Sequence, residues 1–482
     1  MAKSDKRRHH DDVSPDLNKK RKRPIFSSHL DIPNLAPAIK LLCEIIANTT
    51  PQVVEKILDE THIRISQETV EEVLKLSYAH PGAAVKFFRW SAYKLNDKHS
   101  PYAWNLVVDL LGKNSHFDAM WDAIRSMKKE CLLSLATFAS VFSSYVIADR
   151  VRDAIMTFDV MEQYGCKQDI IALNSLLSAI CRDGKTLHAS EFLHVVDGRI
   201  KADADTYAIL LEGWEKEGDV VCAKKTFAEM VVDIGWDPEN VPAYDSFLNT
   251  LLKSRDGIYE AVNSLKRMID RGCRPGIKFF KVALEECLKG HDVRGAELIW
   301  EAMVARIGFR PDTQMYNTII TLYCCSNKID TAIELLDEMV YNGAFPDRQT
   351  YNILFQFLIK SRKLKEASVL FNEMVKNECV LNHDNCRAAV RVYMDSGDPY
   401  MAIKIWKYMI ENHHSDLAES GDLLVVGLCD MHMFPEAAKY ARAMAEKGIR
   451  LTPSSLLKLK QSLTKARKEI LYEEILTKCK DH

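Results

Sequence analysis

Apolar residues along this chain recur at three- and four-residue steps, and the blocks they form recur in turn at intervals of about 35 residues. One block shows the pattern. Tyr316, Ile319, Ile320 and Tyr323 lie on one face of a helix, and Ala332, Leu335, Leu336 and Met339 lie on one face of a second. Asn327-Lys328 makes the turn between them. Gly343 suits a left-handed residue beyond the second helix, Pro346 blocks its continuation, and Asp347 leads into the next block. The same position of the second helix holds Met127, Met161, Met230, Met268, Met303, Met339, Met374, Met409 and Met444, with Val196 in the one vacancy. Seven residues earlier stand Ala154, Ala189, Ala223, Ala261, Ala296, Ala332, Ala367, Ala402 and Ala437, with Met120 in the first block. Seven residues are two helical turns, so small Ala and flexible Met share one face. This predicts a packing stripe rather than chemistry.

The period divides the chain into ten repeats: 101–134, 135–169, 170–203, 204–240, 241–276, 277–312, 313–347, 348–382, 383–417 and 418–452. A single hairpin cannot bury both of its apolar faces, and stacked neighbours can. The expected fold is therefore all-α, a right-handed α-solenoid of about ten helix–turn–helix repeats. Residues 1–30 are polar and charged and predict a disordered basic segment. Residues 31–100 predict a helical N-terminal cap with a degenerate repeat, including a helix opened by Pro81. Residues 453–482 predict a C-terminal capping helix.

Composition agrees with a folded chain, being 47% hydrophobic and 27% charged over 482 residues. No apolar run approaches the roughly 18 residues that would cross a bilayer. Thirteen cysteines show no repeated spacing and read as reduced, mostly buried thiols. The net charge of −2 is uneven: residues 1–30 carry nine Lys/Arg against four Asp. The array itself is acidic, so any nucleic-acid contact must come from a local face. Catalytic patterns fail. Gly184-Lys185-Thr186 has Ala179 where a phosphate loop needs glycine, and Cys429-x-x-His432 has no partner pair at zinc spacing. No enzyme activity, cofactor or metal is expected.

Several repeats spell a recognisable pattern. Met315-Tyr316-Asn317-Thr318-Ile319-Ile320 ends its repeat in Gly343-Ala344-Phe345-Pro346-Asp347. Thr350-Tyr351-Asn352-Ile353-Leu354 runs on to Glu366-Ala367 and Phe371-Asn372-Glu373-Met374. These resemble pentatricopeptide repeats of the plant, repeat-only (P) class, over about residues 66–452. The Trp–Leu-Gly–Tyr pattern of the rival tetratricopeptide repeat is absent.

The resemblance implies a non-catalytic adaptor that binds single-stranded RNA, one nucleotide per repeat, in organellar RNA processing, stability or translation. In that family the fifth and last residues of a repeat read a base edge. Asn105 with Ser134 then implies C. Asn174 with Asp203, and Asn317 with Asp347, imply U. Asn352 with Asn382 implies either pyrimidine. The other six pairs depart from the pattern. The second position, where the family clamps a base with an aliphatic residue, holds Ile171 and Tyr102 but also Asp205, Pro242, Lys278, Gln314, Gln349, Asp384 and Glu419. A protein-binding scaffold is the alternative, favoured by the acidic array and these polar clamp positions. The family implies a mitochondrial location. The basic pair Lys6–Arg8 and Lys19–Arg23 instead has the spacing of a nuclear import signal.

Overall fold

The computed structural model describes residues 26–96, 99–413 and 417–480. Among them are 26 α-helices and no strand. The chain divides between Glu217 and Gly218 into two compact blocks. The division falls inside the fourth repeat, between its helices Ala204–Glu217 and Val220–Asp233. Each block is a stack of helical hairpins. A first helix such as Pro101–Lys113 packs on its own second helix, Phe117–Lys129, and on the first helix of the next repeat, Leu135–Ile147.

The stripe drawn from the sequence forms the seam of both stacks. Every alanine and methionine of the ladder, with Met120 and Val196, is at most 1% exposed. Burying such side chains contributes about 1.5–3 kcal/mol for each large one. The alanines admit close helix approach, and the methionines fill what is left.

Polar ties set the register. In the seventh repeat Asp312 accepts from the Met315 N–H at 3.0 Å and caps the first helix. The Tyr316 hydroxyl donates to Glu338 and accepts from Asn342 Nδ2 at 2.9 Å. The eighth repeat copies this tie, with Tyr351 between Glu373 and Asn377. Asn327 takes the left-handed turn at φ 58°, and Gly343 takes the one after the second helix at φ 80°. The sixth repeat is one residue longer than the seventh. A π-turn at Ala302–Ile307, between Met303 and Gly308, takes up the extra residue and leaves the ladder in register.

The ends differ from expectation. Order reaches further back than residue 31, because Ser28 caps a short 3-10 turn at His29–Asp31 and Phe26 lies 5.5 Å from the Tyr78 ring. The rest of the basic N-terminal segment, with Lys6–Arg8 and Lys19–Arg23, lies outside the described residues. The C-terminal cap is a hairpin of two helices, Pro453–Lys465 and Glu469–Lys480, rather than one helix. Arg467 turns left-handed at φ 57°, and the Lys468 N–H closes onto the Leu463 carbonyl at 2.9 Å, which ends the first helix. Gly184-Lys185 lies in the turn between two helices and Thr186 opens the second, with Lys185 paired to Asp149 and Asp183 at 2.5 and 2.9 Å. Burial pushes the Cys181, Cys287, Cys324 and Cys386 thiols up to about 12, so they stay protonated at neutral pH.

Met339→Ala should cost about 2–5 kcal/mol of local stability and lower the urea midpoint of the full chain. Tyr341→Ala, two residues along the same helix and 90% exposed, should leave that midpoint unchanged. Equal losses would remove the ladder from its structural role.

Candidate nucleic-acid interface

The fifth residue of a first helix and the last residue of its repeat are about thirty positions apart, yet the stacked hairpins bring them together. The reason is local. The last residue caps the next first helix, and that helix packs directly against the one carrying the fifth residue. Asn317 Nδ2 donates to Asp347 Oδ1 at 3.2 Å. Asp347 Oδ1 also accepts the Thr350 backbone N–H at 2.8 Å, completing the helix cap. The Thr350 hydroxyl accepts from the Asp347 N–H at 3.1 Å and donates to Asn317 Oδ1 at 2.6 Å.

The third repeat copies this triangle. Asn174 Nδ2 donates to Asp203 Oδ1 at 3.1 Å, and Thr206 donates to Asn174 Oδ1 at 2.7 Å. Thr206 and Thr350 are fully buried, and Asn317 is largely so. Burial opposes ionisation of Asp203 and Asp347. The Thr N–H, the asparagine amide and the Thr hydroxyl outweigh it and hold both carboxyls below the usual range.

The other two expected pairs are arranged differently. Asn105 accepts from the Thr137 hydroxyl at 2.7 Å, and Ser134 caps the helix that Thr137 belongs to. Asn352 is spent internally. Its Nδ2 donates to the Arg348 and Val380 carbonyls at 2.7 and 3.2 Å. Its Oδ1 accepts the Asn382 N–H at 2.7 Å and Asn385 Nδ2 at 2.9 Å. Both protons and both lone pairs of that amide are occupied. Asn382 Oδ1 accepts from Arg348. A cleft of about 530 Å³ opens beside it, lined by Asp347, Gln349, Asn352, Ile353, Asn382 and Asp384 among others.

Repeats outside the expected pattern keep the same pairing with other chemistry. Asp245 accepts the Gly276 N–H at 2.6 Å, Asp422 accepts the Thr452 N–H at 3.0 Å, and Lys281 pairs with Asp312 at 2.5 Å. The ninth repeat departs furthest: Arg387 reaches Glu419 at 2.7 Å and Asp384 at 3.2 Å, and Arg391 also reaches Glu419. At the second position Ile171 and Tyr102 are exposed, with Lys75 Nζ 5.2 Å from the Tyr102 ring centre.

One feature escaped the sequence reading. The thirteenth residue of the repeat is basic in six repeats: Lys113, Arg182 and Lys216 in the first block, and Lys253, just past its helix, Lys289 and Lys360 in the second. All but half-buried Lys113 are exposed. Eight residues separate this position from the fifth, about 12 Å along the helix. Net charge hid the row, and counting charge by repeat position would have revealed it. Among the described residues, no three His, Cys, Asp or Glu side chains gather as metal ligands.

These hairpin stacks, with one paired polar site per repeat on the first helices, define an α-solenoid repeat protein. Residues 311–360 match the PPR repeat family, and 136–166 and 349–379 match the PPR repeat. A mitochondrial pentatricopeptide repeat-containing protein of Arabidopsis thaliana is 31% identical over 214 residues, 44% of this chain and 41% of that relative. A second from the same plant, also mitochondrial, is 33% identical over 174 residues, 35% of this chain and 31% of the relative. The matched stretches thus span less than half the length of these relatives. The crystal structure of the pentatricopeptide repeat protein PPR10 from maize aligns over 93% of this chain and 69% of that one, at 17% identity and TM-score 0.40. The same protein in complex with an 18-nt psaJ RNA element aligns over 91% and 63%, at 16% identity and TM-score 0.48. Residues 136–166 and 311–379 of this chain thus match pentatricopeptide repeats.

Lowered carboxyl pKa values contribute stability that is present above the unfolded value of about 3.9 and lost as pH falls through the folded one. Asp347→Asn removes that contribution. The gap in thermal midpoint between the native chain and this variant should be widest near neutral pH and close towards about pH 3. A gap independent of pH would contradict the charge-assisted cap.

Proposed function

We propose that this chain is a non-catalytic adaptor that binds single-stranded RNA along its first helices and acts in mitochondrial RNA processing, stability or translation. The observation that carries the proposal is the Asn–Asp–Thr triangle at Asn174/Asp203 and Asn317/Asp347. An amide donor is held beside a carboxylate acceptor, with its orientation set by a hydroxyl. The edge of uracil offers a carbonyl acceptor next to an N–H donor, which complements that pair. At Asn105/Ser134 a hydroxyl replaces the carboxylate and can donate, which suits the acceptor N3 of cytosine. The basic residues at the thirteenth position support backbone contact, since phosphate neutralisation supplies most of the affinity for single strands, and the exposed Lys289–Glu286 pair is weak enough to exchange for a phosphate. Exposed Ile171 and Tyr102 can stack on bases in their own repeats. The mitochondrial location is supported by the names of the relatives; nothing among them favours the nucleus.

The ion pairs Arg387–Glu419 and Arg391–Glu419 favour a second use for the ninth and tenth repeats, as a surface for a protein partner in the same process. There charge is neutralised internally rather than offered to phosphate.

Crosslinking of the full chain to RNA in cells, followed by sequencing, tests the main reading, and recovery of protein partners without RNA would overturn it. In vitro, Asn317→Ala combined with Asp347→Ala should weaken a selected U-containing RNA roughly tenfold, and weaken the same RNA less when that uridine is replaced. Equal weakening of both would refute base reading at the seventh repeat. Replacing Lys253 and Lys289 by Ala should reduce the salt slope by about 0.7 per lost phosphate contact while keeping base preference.

A further inference from the structure

Which asparagines are set as readers is decided by a third residue, three positions past the last residue of the repeat. Where the fifth residue is Asn105, Asn174 or Asn317, the third residue of the following first helix is Thr137, Thr206 or Thr350. Where the fifth is Ala139, Ala208, Asp245 or Lys281, the residue at the following third position is Ala172, Ala243, Phe279 or Met315. Each of the three threonines is buried, and each donates to the side-chain oxygen of its asparagine at 2.6–2.7 Å.

The carboxylate oxygen only accepts, so at Asn174 and Asn317 the amide nitrogen must face it and the amide oxygen the threonine, whose hydroxyl also lies 2.8–2.9 Å from that carboxylate oxygen. The eighth repeat is the exception. Asn385 stands in place of threonine, and its amide donates to both Asn352 Oδ1 and the Asn352 backbone carbonyl. Asn352 Nδ2 then points to two backbone carbonyls, an assignment that admits no flip because carbonyls only accept.

We infer that the third residue of the following repeat is a specificity-determining positioning residue: threonine there holds the asparagine oxygen with its nitrogen beside the carboxylate, whereas Asn385, with the Asn382 N–H, saturates the Asn352 oxygen while backbone carbonyls take its nitrogen, which makes the eighth repeat indifferent to the base. The inference rests on the RNA-binding reading above. It extends a two-residue site to three, and the third member touches the asparagine rather than the base.

The test uses the full chain and two readouts. In a crystal structure of the Asn382→Asp, Asn385→Thr variant, the amide nitrogen of Asn352 should leave the Arg348 and Val380 carbonyls and bond the introduced carboxylate. An amide that stays on those carbonyls overturns the inference whatever RNA does. In selection from a randomised single-stranded RNA pool, this variant should gain roughly tenfold base preference at the position bound by the eighth repeat, with the other positions unchanged. Thr350→Val should lose a similar factor at the seventh repeat, and Thr350→Ser should restore it. Loss of affinity spread over all positions, or no rescue by serine, would show a structural role only and overturn the inference. A native chain that selects no motif overturns the RNA reading and this role with it, while the crystal structure judges the amide separately.

Discussion

Everything in this molecule depends on a helical hairpin having two apolar faces and only one partner helix of its own. The second face must be covered by the next hairpin, and the Ala–Met stripe of the second helices is where that covering is tightest, at most 1% exposed from Met120 to Met444. Because the stripe tolerates no slip, variation in repeat length is absorbed away from it. The π-turn at Ala302–Ile307 is the clearest case, adding a residue after Met303 without moving Ala296 out of register.

Stacking also creates the candidate site. A fifth residue and a last residue become neighbours only because consecutive first helices lie side by side. The same capping bond that starts a first helix, Asp347 to the Thr350 N–H, places the carboxylate beside Asn317. Structure and function share these atoms. The cap satisfies a helix N-terminus that would otherwise leave donors unpaired, and the proposed reader uses what the cap holds in place. The arrangement accepts other chemistry at the same two positions, as Lys281–Asp312 and Asp245–Gly276 show. The stack is therefore indifferent to which repeats carry readable pairs.

Charge follows the same division of labour. Basic residues from Lys113 to Lys360 take the thirteenth position in six of the first eight repeats, while Asp395 and Asp430 take that position in the last two. Lys458 pairs with Asp430 at 2.6 Å, and Glu419 ties Arg387 to Arg391. An overall net charge of −2 thus conceals three basic residues at this position in each block, of which Lys113 and Lys289 are paired with Asp109 and Glu286.

The sequence by itself determined the repeat, its register, the two helices of each hairpin and the burial of the Ala–Met ladder. Periodicity is a property of neighbouring residues, and each rung meets the same surroundings. It also located Asn317 with Asp347 and Asn174 with Asp203 as pairs, since the register says which positions adjoin. Only the tertiary structure decided how those side chains are used. Asn317 and Asn352 stand in near-identical words, Thr-Ile after one and Ile-Leu after the other, and both turn the amide oxygen to the neighbouring helix, but the nitrogen meets the Asp347 carboxylate in one and two backbone carbonyls in the other. The difference comes from Asp347 and Thr350 in one case and Asn382 and Asn385 in the other. An amide's direction is set by which donors and acceptors surround it in space, and no reading of one repeat alone contains that. The break at Arg467 in the C-terminal cap was hidden for a related reason: a left-handed residue other than glycine leaves no mark in composition, and packing of the two short helices selects it.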